Sequence, residues 1–207
     1  MNFIKNLFDF KIHNVTWFAI VNALLILPCV LFLPEKFGYE NGLLENMQML
    51  VLFLGMYFSL TAKSNKKFFI FVAMLLMIFI LREVNCGRTL FFAIPGTENA
   101  YYGWKDIKYR YLAHPLFGLY IASVVIYFFK NKLFMDLWTY IKETKLPFWN
   151  IILLIAGIAM GLHAEHSMHN MIFEEITELL FYTSWIGIIW LYAKDTSFIP
   201  KKYLQGN

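Results

Sequence analysis

Glutamate and histidine side chains recur near the predicted helix ends of this chain, in spacings that group several of them. Glu174 and Glu178 are four residues apart and His163 and His166 are three apart, so each pair shares one face of a helix. Imidazole nitrogens and carboxylate oxygens together suit zinc or iron better than calcium or magnesium. The spacing therefore predicts a divalent-metal site, with a ligand set drawn from His114, His163, His166, His169, Glu174 and Glu178.

A second group of polar residues is predicted to supply the chemistry around that metal. A glutamate beside a metal-bound water can act as a general base, and Glu45, Glu83 and Glu178 are the candidates for catalysis. Arginine and lysine bind phosphate oxygens. The predicted substrate-binding residues are Gln48, Arg88, Lys105 and Lys108.

Membrane-spanning helices are the elements that must position these residues. The chain is 59% hydrophobic and only 15% charged, which is far more apolar than a soluble domain. A helix needs about 20 apolar residues to cross a bilayer. The sequence predicts one all-α integral membrane domain over residues 1–207, with six transmembrane helices in one bundle. Its spans lie near 15–33, 42–60, 67–86, 111–129, 148–166 and 172–192.

Two of these spans are too short unless they include charged residues. The apolar runs 179–192 and 68–81 would each rise only about 21 Å as helices. Glu178 is therefore drawn into the edge of the hydrocarbon, and Arg82 and Glu83 are drawn in with the other run. Ionisable groups at such depths are costly and mark functional sites.

Charge placement predicts the orientation. Twelve of the eighteen Lys and Arg fall in the segments that six spans place on the same side as the termini, so both termini should be cytoplasmic. The predicted location is the cell inner membrane, and membrane lipid is the predicted partner. A net charge of +4 gives no reason to expect nucleic acid. Amphipathic helices are predicted on the inner leaflet at 132–145 and around Ile4, Leu7 and Phe8.

Two stretches carry a resemblance. They run Glu-Asn-Gly-Leu-Leu-Glu-Asn-Met-Gln from Glu40 and Arg-Glu-Val-Asn-Cys-Gly-Arg-Thr-Leu-Phe from Arg82. They resemble uncharacterised bacterial multispan inner-membrane proteins with Glu-Asp-Gly-Leu-Ile-Glu-x-x-Gln and Glu-Glu-Ile-Ser-Trp-Gly-Gln-Arg-Ile-Phe-like stretches. Cys86 stands at the tryptophan position, and Arg82 and Arg88 replace a glutamate and the glutamine. The resemblance implies that Glu45, Gln48 and Glu83 share one site, and it implies no activity.

Plainer interpretations stand beside these predictions. Acids in the first turn of a helix are favoured by the helix dipole, so Glu174 and Glu175 can be ordinary N-terminal residues, and replacing Glu175 is expected to do little. Histidines in a short loop, such as His169, are often simply solvated. Cys29 and Cys86 are expected to stay free rather than form a disulfide.

The leading hypothesis is a membrane-embedded, metal-dependent hydrolase acting on a lipid or lipid-linked substrate at the outer leaflet. The alternative is a proton- or cation-coupled transporter that uses the same carboxylates and histidines. Such a transporter should also carry polar groups near the bilayer midplane, where the central stretches of several spans are purely apolar. A b-type cytochrome with haem on His114, or a non-catalytic subunit of a membrane complex, completes the set. The oligomeric state is left open.

Overall fold

The computed structural model describes residues 7–97, 99–168 and 170–204, apart from the side chain of residue 168. Two short strands in these ranges, β1 (Phe8–Asp9) and β2 (Leu146–Pro147), pair in parallel. The remaining structure is helical, as predicted. The longer helices are α1 (Thr16–Phe32), α2 (Leu43–Leu60), α3 (Lys66–Glu83), α4 (Arg110–Lys130), α5 (Leu133–Glu143), α6 (Phe148–His163) and α7 (Met171–Lys194).

Six of these helices, all except α5, lie at the positions of the predicted spans. Four segments are long and apolar enough to cross a bilayer: Glu35–Leu60, which contains α2, Phe148–Ser167, which contains α6, and the helices α4 and α7. A fifth arises if α3 is joined to the bent segment Asn85–Phe91, which turns away by 54°. The 17-residue α1 is apolar but shorter. The helices are thus compatible with a membrane protein, while the count of six and the orientation remain predictions.

Helix α7 is the centre of the bundle. It packs against α1, α2 and α6, and 61% of its most apolar window is buried, against 6% for α4. Helix α3 packs on α2, and α4 lies outside α3, where the Tyr120 hydroxyl donates to the Met74 carbonyl at 3.1 Å. The inward face of α7 therefore lies against other helices, and its buried polar residues include Thr177 and Ser184.

Two glycines allow other segments to approach the first half of α7 closely. A Cβ atom on Gly157 would lie only 2.7 Å from the backbone nitrogen of Phe181, and one on Gly38 would lie 2.9 Å from that of Ile172. Any larger residue would force the backbones apart. The glycines therefore hold α6 and the segment before α2 against α7.

The predicted amphipathic helix at 132–145 is present as α5. Leu133 and Tyr140 are buried, whereas Phe134 and Trp138 are exposed. The similar prediction at the N-terminus is wrong at Phe8, because that residue lies in β1. Ile4 lies outside the described residues. Cys29 and Cys86 are free, as expected.

Candidate functional site

The first two turns of α2 carry two buried polar side chains. Glu45 is 6% exposed and Gln48 is fully buried. Asn41 precedes the helix with a left-handed backbone, φ 59°, and its backbone N–H donates to the Glu45 carboxylate. Acceptance from a backbone donor just before the helix is a capping interaction that fixes the side chain. Glu45 is thus held at the helix start instead of turning outward.

Gln48 joins α2 to the first turns of α7. Its amide nitrogen donates to the Glu175 carbonyl at 2.9 Å and to the Glu175 carboxylate at 2.7 Å. The amide oxygen of Gln48 is buried and accepts no hydrogen bond from a described residue. Glu175, which was expected to be an ordinary first-turn residue, is therefore part of the contact between the two helices.

Arg82 joins α3 to α7 on the other side of the same helix end. Its guanidinium donates to the Glu178 carboxylate at 2.5 Å and lies 3.3 Å from that of Glu83. The Tyr182 hydroxyl, one turn further along α7, donates to Glu83 at 2.5 Å. The side chain of Glu83 is 7% exposed, that of Glu178 23% and that of Arg82 53%. Charged groups from two helices are thus joined in one partly buried network.

Four carboxylates come together here, and we call Glu45, Glu83, Glu175 and Glu178 the glutamate cluster. Glu45 is close enough to Glu83 and Glu178 to interact electrostatically, and Glu175 interacts with all three. Among the described residues, Arg82 is the cation that forms ion pairs with the cluster. One positive charge cannot neutralise four negative ones, and uncompensated charge in a low-dielectric interior costs several kcal/mol. The cluster must therefore hold protons or bound cations.

Two cavities, lined by different residues of α7, reach the cluster. The first, which we call the lateral cavity, has a volume of about 460 Å³ and is lined by charged residues and by apolar side chains of α3, α6 and α7. Its charged lining residues are Arg82, Glu165, Glu174 and Glu178. The second, the loop cavity, has about 450 Å³, and Glu175 lines it together with Glu40 and Arg88. The cluster thus reaches the lateral cavity through Glu178 and the loop cavity through Glu175.

The long loop after α3 covers the start of α2. Arg88 lies 3.4 Å from Glu40, and the Tyr101 hydroxyl donates to the Glu40 carbonyl at 3.0 Å. The predicted substrate-binding residues Lys105 and Lys108 are exposed. Arg88 therefore pairs with Glu40 beside the loop cavity, while the two lysines remain on the loop surface.

The predicted metal ligands are not assembled in the described part of the chain. His163 and His166 are exposed, and the His166 ring nitrogen hydrogen-bonds to the Leu162 carbonyl at 2.9 Å within its own helix. His114 lies against Trp104, with ring centroids 4.5 Å apart. His169 is outside the described residues. Within those described, no three His, Cys, Asp or Glu are grouped so that they can hold a metal.

The structure therefore brings together some of the residues that the sequence grouped, leaves others apart and adds further ones. The structure brings Glu45, Gln48, Glu83 and Glu178 to one end of the bundle, as their common depth predicted, but it does not bring His166 into hydrogen-bonding contact with them. It adds Glu175 and Tyr182. The three-residue spacing of Glu175 and Glu178, which puts both on neighbouring parts of one face, was the available signal.

Polar groups also continue along α7 beyond the cluster. The Asn22 amide donates to the Thr183 hydroxyl at 3.4 Å, and Asn22 is 6% exposed. Deeper still, the Thr16 hydroxyl donates to Asn150 at 2.7 Å, and Asn150 contacts the Ser184 carbonyl at 3.4 Å. The apolar central stretches of the spans therefore do not make the whole interior of the bundle apolar. These polar residues come from three helices and form no visible run in the sequence.

These features are compatible with a helical membrane protein and include a carboxylate cluster at one end of the central helix. Comparison with known protein families, curated proteins and solved structures gives no significant match. The function is therefore argued from the site itself.

Proposed function

We propose that this chain is a proton-coupled membrane transporter and that the glutamate cluster is its coupling site. The observation that carries the proposal is the charge imbalance of four clustered carboxylates against the single guanidinium of Arg82. A buried carboxylate without a cation beside it is stable when it is protonated. Such a cluster binds and releases protons as its surroundings change, and intramembrane carboxylates serve this purpose in pumps and transporters.

The hydrogen bonds around the cluster suit proton exchange. Gln48 donates to the Glu175 carboxylate, and the Tyr182 hydroxyl donates to Glu83. Both donors remain in place whether or not the carboxylate they contact carries a proton on its other oxygen. Glu175 opens to the loop cavity and Glu178 to the lateral cavity. Protons can therefore reach the cluster through one cavity while another solute occupies the other cavity.

The polar groups along α7 favour a transporter. A protein whose site is confined to one membrane surface would not need polar groups further along the helix. Asn22 has a buried amide oxygen that accepts no hydrogen bond from the described residues, and Thr183 lies beside it. An unsatisfied polar atom in a membrane interior is costly, and a water molecule would satisfy it. The proposed path for the solute or proton continues from the cluster through these residues.

The orientation belongs to the proposal as well. The distribution of Lys and Arg supports cytoplasmic termini in the cell inner membrane, with the cluster on the outer side. Cysteines at Lys66 and Thr97, both exposed, test this in a variant without Cys29 and Cys86. In intact cells an impermeant thiol reagent should label the Thr97→Cys protein and not the Lys66→Cys protein. The opposite labelling pattern would place the cluster at the cytoplasmic face.

Infrared titration of the purified protein tests proton binding directly. Protonated carboxylic acids absorb in a carbonyl band separate from that of carboxylates, so the wild type should show this band at neutral pH and lose it as the pH rises. Glu175→Gln should reduce the band, whereas Glu143→Gln, an exposed glutamate on α5, should leave it unchanged. Absence of the band from the wild type would overturn the proposal.

The metal-dependent hydrolase remains a prediction of the sequence. Elemental analysis of the same sample tests it, with His166→Ala as the variant that should lose the metal. A stoichiometric zinc or iron signal that depends on His166, together with no protonated-acid band, would favour the hydrolase over the transporter.

A further inference from the structure

The lateral cavity combines two kinds of lining that rarely occur together. One part is charged, with Glu165, Glu174 and Glu178 beside Arg82. The other part is apolar and includes the rings of Phe79 and Phe181, whose centroids are 6.0 Å apart. Its volume of about 460 Å³ falls within the range of small-molecule sites. The cavity therefore has the size and the mixed surface of a binding pocket.

The charges of the lining residues favour a positively charged ligand. Three carboxylates line the cavity with one guanidinium, and that guanidinium is already paired with Glu178 and Glu83. A cation entering the cavity gains attraction from Glu174 and Glu165, which form no ion pair with a described residue. An aromatic face nearby adds to the attraction of a cation. An anion would meet net repulsion.

The position of the cavity selects a ligand with an apolar body. Helices α3 and α6 supply facing walls, and α7 supplies the floor. Both walls belong to predicted spans, so the ligand has access from within the bilayer. Gly161 leaves space on the α6 side of the cavity because it has no side chain. A Cβ atom on this residue would lie 3.9 Å from the Glu178 side chain and 3.6 Å from the Thr177 hydroxyl. A flat apolar wall opposite acidic groups suits an amphipathic cation.

We propose that the lateral cavity binds a membrane-soluble organic cation and that this cation competes with Arg82 for Glu178. The competition needs only the Arg82–Glu178 pair to open. Arg82 keeps its pair with Glu83, so the ligand adds a positive charge beside the cluster instead of replacing one. Coupling to protons rests on the proposed function. Glu178 belongs both to the cavity and to the glutamate cluster, so a bound cation favours loss of protons from the neighbouring carboxylates.

Equilibrium dialysis with tetraphenylphosphonium tests the cavity in the purified, detergent-solubilised protein. Protein-free micelles provide the background, and tetraphenylborate, an anion of similar shape, is the control for charge. The wild type should bind the cation saturably and should not bind the anion. Glu174→Gln should weaken cation binding about tenfold, because one carboxylate facing the ligand loses its charge. Glu143→Gln is the matched control and should leave the affinity unchanged.

Filling the cavity provides a second, independent variant. Gly161→Leu projects a side chain toward Glu178 and should abolish binding, while an unchanged gel-filtration profile reports that the bundle is folded. Saturable binding that is lost in Gly161→Leu and weakened in Glu174→Gln supports the inference. No saturable binding by the wild type, or binding that neither change reduces, would overturn it.

Proton release separates this inference from the proposed function. Adding tetraphenylphosphonium to weakly buffered wild-type protein should acidify the solution, and Glu175→Gln should diminish that signal while retaining the binding. Binding without any proton release would leave the cavity in place and remove the support for proton coupling. A protonated-acid infrared band without cation binding would do the reverse, since it would keep the proton site and reject the ligand.

Discussion

The acidic side chains at the two ends of α7 differ in how fully they are paired. At its start, Arg82 pairs with Glu83 and Glu178, while Glu45 and Glu175 form no ion pair with a described residue. At its end, three acids have local partners: the Tyr203 hydroxyl donates to Asp136, His13 lies 3.0 Å from Asp9, and two Ser197 donors contact Asp195. These three acids are satisfied by neighbouring donors without surplus negative charge. The first end carries more carboxylates than its one paired cation can neutralise, and this is why we assign the excess a function.

The pKa of Asp195 illustrates the paired end. Burial opposes ionisation of this carboxyl, but hydrogen bonds from the Ser197 hydroxyl and backbone, with the nearby charges of His13 and Lys11, outweigh burial and hold its pKa below the usual range. Burial and the hydrogen bond to Asp136 raise the pKa of the Tyr203 phenol, which therefore stays a donor. Asp195 thus stays ionised and Tyr203 stays protonated at neutral pH.

The largest expected effect comes from neutralising the unpaired end. Glu83→Gln and Glu175→Gln should each diminish the proton release that accompanies cation binding, because each removes one proton-binding group that the helices hold in place. Glutamine has the shape of a protonated glutamate, so the folded bundle should persist. Proton release in weakly buffered solution measures the effect. A variant that keeps full proton release would show that the residue lies outside the coupling site.

Removal of the cluster's cation should destabilise the protein. Arg82→Gln leaves Glu83 and Glu178 without their ion pair, and because Arg82 is half exposed we expect a loss of about 1–2 kcal/mol, less than for a buried pair. Unfolding titrations in detergent at several pH values measure this loss. It should shrink at acid pH, where the glutamates are protonated, and it should also shrink in the Arg82→Gln, Glu178→Gln double variant. A loss that is independent of pH would point to packing alone.

Removal of a buried amide further along α7 should cost stability but leave the proton signal. Asn150 is 1% exposed and bonds to Thr16, so Asn150→Leu should lower the free energy of unfolding by about 1 kcal/mol. The double variant with Thr16→Val should recover part of that loss, because no unsatisfied hydroxyl remains. If Asn150→Leu instead removed proton release, the separation between the ends would break down and the path would extend to Asn150.

The smallest effect is expected at the paired end itself. Asp195→Ala removes two hydrogen bonds to Ser197 and should cost about 0.5–1 kcal/mol at neutral pH. Because the folded pKa of Asp195 is lowered, this contribution is complete above the unfolded carboxyl pKa of about 4 and is lost as the pH falls through the folded value. Unfolding of the two proteins at neutral and acid pH should show the difference disappearing. Asp195→Asn should fall between the two.

Sequence patterns predicted position along the helices well and rotation about the helix axis poorly. Helix α7 begins one residue before its predicted span, and Glu45, Glu83 and Glu178, which residue counting puts at a common depth, lie in one cluster. Depth follows from counting residues, since each adds a fixed rise. Rotation follows from packing against other helices, which no single stretch of sequence records.

The misses share that cause. Glu175 looked like a first-turn acid, but rotation of α7 turns it to Gln48 of α2. His163 and His166 have metal-ligand spacing, yet the continuation of α6 into a π-helical turn, Ala164–Met168, leaves both exposed. Asn22 and Thr183 come from helices far apart in the chain, so their contact had no local signal.

The central position of α7 also constrains how the bundle is made in the cell. Helices α1, α2 and α6 all precede α7 in the chain, and each has it as a main neighbour. During synthesis these earlier helices enter the membrane before that neighbour exists. They must remain in lipid, or beside an insertion factor, until α7 has been made. During that time Asn22, Gln48 and Asn150 lack the hydrogen-bond partners that α7 provides. Assembly is thus completed late, and a ribosome that stops before residue 171 leaves helices for the quality-control machinery to remove.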